Sequence, residues 1–258
     1  MSTATRTLRF ALYDLSRLRK DLATLFFSVA LPVFFFLLFG AAQEYGDMPL
    51  GDGNVSAYVM IGMALYAGIT GATAASGSSV VEDQTGWGRQ LALTPLSTGQ
   101  VLFTNLMNIA VRAVLPITAV YITGALTNAF MPAEEWILSF LLTIVAAVPF
   151  GFYGMAWALA FPSTNAVSVA STSVVLIAFA ANLLMPLTES LLAISRFTPG
   201  YGAAALARWP LAEGAQTIQG DDFIIHDPLW LVLVNIGAWT AIFIAICVVL
   251  RNRDKERQ

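Results

Sequence analysis

Charged residues are scarce in this chain of 258 residues. Only 11% of the residues are Asp, Glu, Lys or Arg and 57% are hydrophobic, whereas a typical soluble domain has roughly 25% charged residues. Several stretches of about 18 or more residues have few or no charges, which is the length that a helix needs to cross a bilayer. The sequence therefore predicts an integral membrane protein with little soluble domain.

Side chains that carry chemistry are also few. The one cysteine, Cys247, excludes an intramolecular disulfide. The one histidine, His226, is expected to be a surface or capping residue, since a metal site needs several ligands. The chain has no GxxxxGK[ST] motif and its only lysines are Lys20 and Lys255, so it cannot build a phosphate-binding loop with its lysine. We expect no catalytic site, no bound cofactor, no metal and no nucleic-acid partner.

Apolar segments predict six membrane-spanning helices, at about residues 22–42, 55–81, 101–126, 136–161, 165–186 and 229–250. Residues 1–21 carry five basic residues interleaved with leucine and phenylalanine, which predicts an amphipathic helix lying in the membrane surface. The alternative is a positively charged flank of the first span. We expect residues 22–250 to form a six-helix membrane domain and residues 251–258 a basic cytoplasmic tail, with residues 1–258 as a single transmembrane domain.

The distribution of lysine and arginine predicts the orientation. Ten of these residues lie on one side of a six-span topology, in the amino-terminal segment, at Arg89 and in the tail. The other side has only Arg196 and Arg208, and Arg112 lies within the third span. Because the basic side of a membrane protein is cytoplasmic, we expect both termini inside the cell and a multi-pass protein of a bacterial inner or plasma membrane.

A polar hairpin at residues 82–97, read as EDQTGWGRQLALTPLS, joins the second and third spans on the cytoplasmic side. It resembles the same segment of the ABC-2-type exporter permeases, which follows the pattern E-x-E-x-G-T-x-E-x-L-x-x-T-P-L-S. The chain departs from that pattern at Gln84, Trp87 and Arg89. It matches the pattern at Glu82, Gly86, Leu91, Thr94, Pro95, Leu96 and Ser97.

The resemblance implies an all-α membrane subunit whose cytoplasmic hairpin couples it to a separate ATP-binding protein, which uses ATP and Mg. It also implies a second permease copy, as a homodimer or with a related permease, and export of a drug, antibiotic or lipid-like molecule. The alternative for the hairpin is a turn at the membrane interface, with Trp87 at the level of the headgroups. The implied coupling residues are Glu82, Asp83, Gly86, Trp87, Arg89, Leu91, Thr94 and Pro95.

Two helix faces have small or hydroxyl side chains at every fourth residue. The second span has Gly68, Ala72 and Ser76, and the fifth has Thr164, Ser168 and Thr172. Small faces let another backbone approach closely, and hydroxyls at membrane depth are expected to face protein or a cavity. The resemblance implies that these faces line the export pathway or the dimer contact. The alternative is ordinary helix packing within one protomer.

Arg112 is the one strong charge inside a span. Its burial in lipid costs about 2.5 to 3.5 kcal/mol on insertion scales, so it is expected to face protein or water. One interpretation is a salt bridge to Glu82 or Asp83 that links the hairpin to the membrane core. The other is that the side chain extends to the inner interface.

The segment 187–228 is too apolar for an ordinary loop and predicts short helices that dip into the outer leaflet. Re-entrant helices between the fifth and sixth spans are also what the family resemblance implies. The leading functional hypothesis is an ATP-driven exporter subunit, and the alternative is a non-transporting membrane sensor or structural subunit. A proton-coupled carrier is disfavoured because no unambiguous acidic residue lies mid-span.

Overall fold

The computed structural model describes residues 22–84, 98–219 and 224–255, with side chains described for 28–84, 107–219 and 224–253. The predicted surface helix at residues 1–21 and the end of the tail at 256–258 lie outside the described residues. The described part is mostly helical. Its helices are α1 (Leu22–Phe36), α2 (Val55–Gln84), α3 (Thr98–Ala125), α4 (Ala133–Ala160), α5 (Thr164–Ala180), α6 (Glu189–Ser195), α7 (Tyr201–Ala212) and α8 (Leu229–Lys255).

Helices occupy the positions of all six predicted spans, but not all of them are long. Four of them, α2, α3, α4 and α8, are long and apolar enough to cross a membrane within the described residues. The helix α1 continues into a π-helical turn at Leu37–Ala41, and it and α5 are shorter apolar helices. The structure thus supports an integral membrane protein with four candidate spans, and the six-span topology stays a prediction.

Local sequence signals explain where several helices begin and end. The first turn of α4 contains Glu134 and Glu135, near the positive end of the helix dipole. The Oγ of Ser163 accepts a hydrogen bond of 3.2 Å from the backbone of Ala166 and caps the start of α5. The helix α7 ends at Ala212 and is followed by Glu213, whose backbone is left-handed.

The helix α2 lies at the centre of the bundle. It packs most extensively against α4 and α3, and also against α5, α1 and α7. In the most apolar 18-residue window of α2, 89% is buried inside the chain. The buried share of the corresponding window is 28% in α3 and 22% in α8. The helix α2 is therefore the core of the described bundle, whereas residues 107–125 of α3 and residues 229–253 of α8 present most of their surface to lipid or to another protein.

The predicted fifth span is too long. The helix α5 ends at Ala180, not near Pro186, because Asn182 adopts a left-handed conformation with a φ of 56° that stops the helix. The amide of Asn182 then fixes the turn. Its Nδ2 donates to the carbonyl of Thr217 at 3.0 Å, and its Oδ1 accepts from the backbone of Leu187 at 2.9 Å.

The described residues are mostly helical, as predicted, but they also form two small sheets outside the long helices, which the prediction of an all-α fold did not include. An antiparallel hairpin of β1 (Pro49–Leu50) and β2 (Gly53–Asn54) precedes α2. A three-stranded sheet contains β3 (Leu187–Thr188), β4 (Ala215–Gln219) and β5 (Ile224–His226) in that order. Strand β4 is parallel to β3 and antiparallel to β5. The pairing satisfies backbone groups where the chain leaves the helices.

The segment between the fifth and sixth predicted spans contains two short helices, α6 and α7, and their re-entrant position in the outer leaflet stays a prediction. Together with the three-stranded sheet they form a unit, called the cap below, which consists of residues 181–219 and 224–228. The helix α7 packs against α4, α8 and α2. The cap thus sits at the end of the bundle where α2 and α4 begin and α5 ends.

Candidate functional site

The predicted coupling residues Glu82 and Asp83 lie in the last turn of α2. Glu82 is half-buried and Asp83 is exposed at this end of the bundle. The other predicted coupling residues, Gly86, Trp87, Arg89, Leu91, Thr94 and Pro95, lie outside the described residues. Docking of an ATP-binding protein on this hairpin therefore stays a prediction.

The small-residue face of α2 packs inside the chain. A Cβ added to Gly68 would lie 2.6 Å from Cδ1 of Ile117 on α3, and Ala72 and Ser76 are buried. Beside this face, Oγ1 of Thr73 donates to the carbonyl of Phe150 on α4 at 3.2 Å. These contacts correspond to the packing alternative within one protomer. A pathway role for Gly68, Ala72 and Ser76 stays a prediction.

The hydroxyl face of α5 is exposed. Thr164, Ser168 and Thr172 lie on it together, while Ala170 and Val174 on the opposite face are buried in the chain. The hydroxyl of Ser168 donates to the carbonyl of Thr164 at 3.1 Å, and that of Thr172 to the carbonyl of Ser168 at 2.9 Å. Because the hydroxyls of Ser168 and Thr172 bond within the helix, these two donors stay paired when the face contacts lipid or protein.

Arg112 is half-buried on α3 at a close crossing with α2. The carbonyl of Arg112 occupies the space where a Cβ on Gly71 would lie, so these two residues are at the same level. Glu82 is eleven residues further along α2, a rise of roughly 16 Å. This separation favours the interpretation in which Arg112 extends toward the inner interface, and the salt bridge to Glu82 or Asp83 stays a prediction.

The strongest polar constellation is one that the sequence did not indicate, a buried arginine in the cap. Arg208 on α7 is 2% exposed. Its Nε donates to the carbonyl of Tyr58 at 3.2 Å, Nη1 to that of Asn182 at 3.0 Å and Nη2 to that of Leu183 at 3.2 Å. The guanidinium carbon also lies 3.9 Å from the centre of the Tyr58 ring. One side chain thus joins α7 to the start of α2 and to the end of α5.

Backbone dipoles replace a carboxylate as the partner of this cation. Burial lowers the pKa of Arg208, and the neighbouring Tyr58 opposes that shift. Two of its acceptors, Asn182 and Leu183, follow directly on the carboxyl end of α5, where the helix dipole favours a positive charge. The sequence alone shows Arg208 only as one of two cations on the predicted outer side. The available signal was its position in an alanine-rich segment, YGAAALARWPLA.

A second polar cluster joins the two ends of the cap. Arg196 forms a bidentate contact with the buried Asp227, with Nη2 2.6 Å from Oδ1 and Nε 3.3 Å from Oδ2. The hydroxyl of Tyr201 donates to Oδ2 of the same carboxylate. The hydrogen bond to Asp227 raises the pKa of Arg196, while burial, and then the hydrogen bond to Asp227, raises the pKa of Tyr201. The adjacent His226 is exposed, and no group of residues able to hold a metal occurs in the described ranges.

The cap is bonded to α8 by two further side chains. Asn235 donates to the carbonyls of Arg196 at 2.8 Å and Thr198 at 3.1 Å, and its Oδ1 accepts from the backbone of Gly202 at 2.9 Å. Nε1 of Trp239, one turn further along α8, donates to a cap carbonyl at 3.1 Å. The cap is therefore attached to the helical bundle by specific hydrogen bonds and is not an independent loop.

Comparison with known proteins gives a distant similarity over nearly the full length of both chains. The chain is 21% identical over 248 residues to YvfS of Bacillus subtilis (strain 168), which is provisionally named a transport permease. The match covers 94% of this chain and 95% of that protein. No family model matches the chain. The similarity supports a transport permease, and with the four apolar helices it indicates a membrane protein.

Proposed function

We propose that this chain is the membrane-spanning subunit of an ATP-driven ABC exporter. The observation that carries the proposal is the similarity to a transport permease over nearly the whole of both chains. It is supported by the polar segment between α2 and α3, whose sequence resembles the coupling hairpin of ABC-2-type permeases. Because the chain lacks a phosphate-binding loop with its lysine, a separate ATP-binding subunit would supply the energy.

The proposed cargo is a hydrophobic or amphipathic small molecule moved out of the cytoplasm. The proposed assembly has two permease copies, and the exposed hydroxyl face of α5 is available for a contact between them or for lining the pathway. The cap would then close the outer end. The hairpin would bind the ATPase, with Trp87 as a large side chain of the type that anchors protein interfaces.

A reconstitution experiment tests this proposal. The tagged chain is purified from its native membranes, the ATP-binding protein that accompanies it is identified, and the complex is placed in vesicles. We expect ATP-dependent movement of a hydrophobic dye, and stimulation of ATP hydrolysis by a subset of tested amphiphiles. Trp87→Ala and Glu82→Ala are expected to lose both activities, whereas Gly237→Ala on the exposed face of α8 retains them.

The alternative is a non-transporting sensor or structural subunit that also binds an ATPase. Under that alternative the ATP-binding protein co-purifies, but no compound in the panel crosses the vesicle membrane with ATP. Export that survives both hairpin substitutions would show that the coupling assignment is wrong while leaving the transport function intact.

A further inference from the structure

A short turn at residues 161–163 joins α4 to α5. Its sequence, Phe161-Pro162-Ser163, contains no charged residue. The ring of Phe161 is 60% exposed, and the two residues that follow it are exposed as well. The α4–α5 turn therefore presents a large apolar side chain at one end of the helical bundle.

The α4–α5 turn lies close to the end of α2. The helices α2 and α4 run in the same direction, because Thr73 bonds to Phe150 and, further along both helices, Val81 packs against Ala158. Val167, in the first turns of α5, belongs to the same buried cluster as Val81 and Ala158. Roughly one helical turn beyond this cluster, α2 ends, the α4–α5 turn follows α4, and α5 begins.

This end of the bundle is the basic one, which the topology predicts to be cytoplasmic. The Sγ of Cys247 on α8 donates to the carbonyl of Phe152 on α4 at 3.3 Å. Arg251 and Arg253 lie one to two turns beyond Cys247 and are exposed. The α4–α5 turn thus belongs to the same side of the membrane as the exposed Asp83 at the end of α2.

The length of α4 places its last residues beyond the hydrocarbon. Trp136 and Trp157, both on α4, are separated by about 31 Å of helix rise. That separation matches the hydrocarbon core of roughly 30 Å, and tryptophan is enriched at both of its interfaces. Phe161 follows one turn after Trp157, at the level of the headgroups or of the cytoplasm.

The exposed ring is held in place from both sides of the turn. The ring centroid of Phe161 is 6.2 Å from that of Trp157, which is 6.4 Å from that of Tyr153. The hydroxyl of Tyr153 lies 2.5 Å from that of Ser173 on α5, and Ser163 caps α5. A ring that is already ordered loses little conformational entropy on binding, and aromatic side chains are enriched in protein interfaces.

We propose that Phe161 and the α4–α5 turn are a second contact surface for the ATP-binding subunit. The inference rests on the proposed function, which supplies this partner. The occupant is argued from continuity, because the turn lies beside the end of α2, where Glu82 and Asp83 begin the proposed coupling segment. Anionic headgroups do not fit the turn as well, since it has no lysine or arginine.

Cross-linking in membranes tests which molecule covers the turn. In a background with Cys247→Ala, Phe161→Cys is labelled with a benzophenone maleimide and illuminated. We expect a covalent adduct between this chain and the ATP-binding subunit. Val148→Cys is the matched control, because Val148 is 56% exposed on the same helix but lies between the levels of Trp136 and Trp157. It is expected to give no adduct with the ATP-binding subunit.

Binding of the purified ATP-binding subunit to the full-length chain in vesicles is the second readout. Phe161→Ala is expected to weaken binding roughly tenfold, since exposed aromatic anchors carry much of the affinity of an interface. Its melting temperature is expected to match that of the unmodified protein, because the ring is largely exposed. Val148→Ala is expected to bind like the unmodified protein.

The inference is overturned if position 161 labels only lipid or a second copy of the chain, or if Phe161→Ala binds with unchanged affinity. When either result accompanies a complex that forms and exports, only the α4–α5 contact is wrong and the proposed function stands. A complex that cross-links at position 161 without transport refutes export and supports the contact. If no ATP-binding protein binds the chain, both proposals are wrong.

Discussion

Gly62 on α2 leaves the space that the guanidinium of Arg208 on α7 fills. A Cβ at position 62 would lie against Nη2, 3.1 Å from Cζ of Arg208 and 3.1 Å from the carbonyl oxygen of Leu183. The absence of one carbon on the central helix thus admits a buried cation from the cap. This pair makes the attachment of the cap to α2 sensitive to changes at a residue that carries no functional group.

Gly62→Ala is expected to destabilise the protein. The added methyl group overlaps the guanidinium, and overpacking of this kind costs typically about 1–3 kcal/mol. The matched control is Gly237→Ala on α8, where a Cβ meets no atom within 4 Å. Thermal unfolding in detergent is expected to show a lower melting temperature for Gly62→Ala only. Equal melting temperatures for the two variants would contradict the packing described.

Replacement of Arg208 by lysine is expected to destabilise the protein. Three separate carbonyls accept from three nitrogens of the planar guanidinium, whereas an ammonium group is a single point on a flexible stem. Arg208→Lys and Arg208→Met are both expected to lower stability by at least about 1 kcal/mol, because acceptors are left unpaired in a buried site. Arg251→Lys, at an exposed position on α8, provides the control. If Arg208→Lys has the same melting temperature as the unmodified protein, the guanidinium does not contribute to stability in the way described.

Arg196 and Asp227 are expected to be energetically coupled. The carboxylate is buried and accepts two hydrogen bonds from the guanidinium, so removing either partner leaves the other poorly paired. A double-mutant cycle with Arg196→Met and Asp227→Asn should give an interaction free energy of about 0.5–3 kcal/mol. Strict additivity of the two single effects in thermal unfolding would show that the contact does not contribute to the cap.

The exposed face of α5 allows a direct test of the proposed dimer. In a background with Cys247 replaced by alanine, Ser168→Cys is expected to form a disulfide between two copies in membranes if this face is the contact. Ala170→Cys, two residues away but buried within the chain, is expected to remain monomeric. Cross-linking is read from the mass on non-reducing gels. A result in which neither variant cross-links places the dimer contact elsewhere on the bundle.

The helical framework was predictable because it depends on local composition. The second, third, fourth and sixth apolar segments lie within a few residues of α2, α3, α4 and α8, since burial in lipid or protein requires a continuous apolar helix of that length. The end of α5 was missed by about six residues. Its stop comes from the left-handed Asn182, whose amide bonds Thr217 from a distant part of the chain. A hydropathy pattern does not contain that contact.

In the candidate site, too, some features follow from the sequence and others only from the packed structure. The identity of the hairpin residues at 82–97, the hydroxyl spacing on α5 and the lack of a nucleotide-binding motif are properties of the sequence alone. The exposure of that hydroxyl face and the burial of the small face of α2 required the packed bundle, because each depends on which neighbours cover a helix.

The sequence by itself determined that this is a membrane protein, since too few charges and too many long apolar runs leave no other stable arrangement. Because it lacks a GxxxxGK[ST] motif and has only two lysines, the sequence also predicts no phosphate-binding loop in this chain. Only the tertiary structure decided what its few polar residues do. Tyr58, Asn182 and Arg208 are far apart along the chain, and a buried cation is stable there only because folding brings backbone carbonyls from α2 and from the end of α5 to one guanidinium.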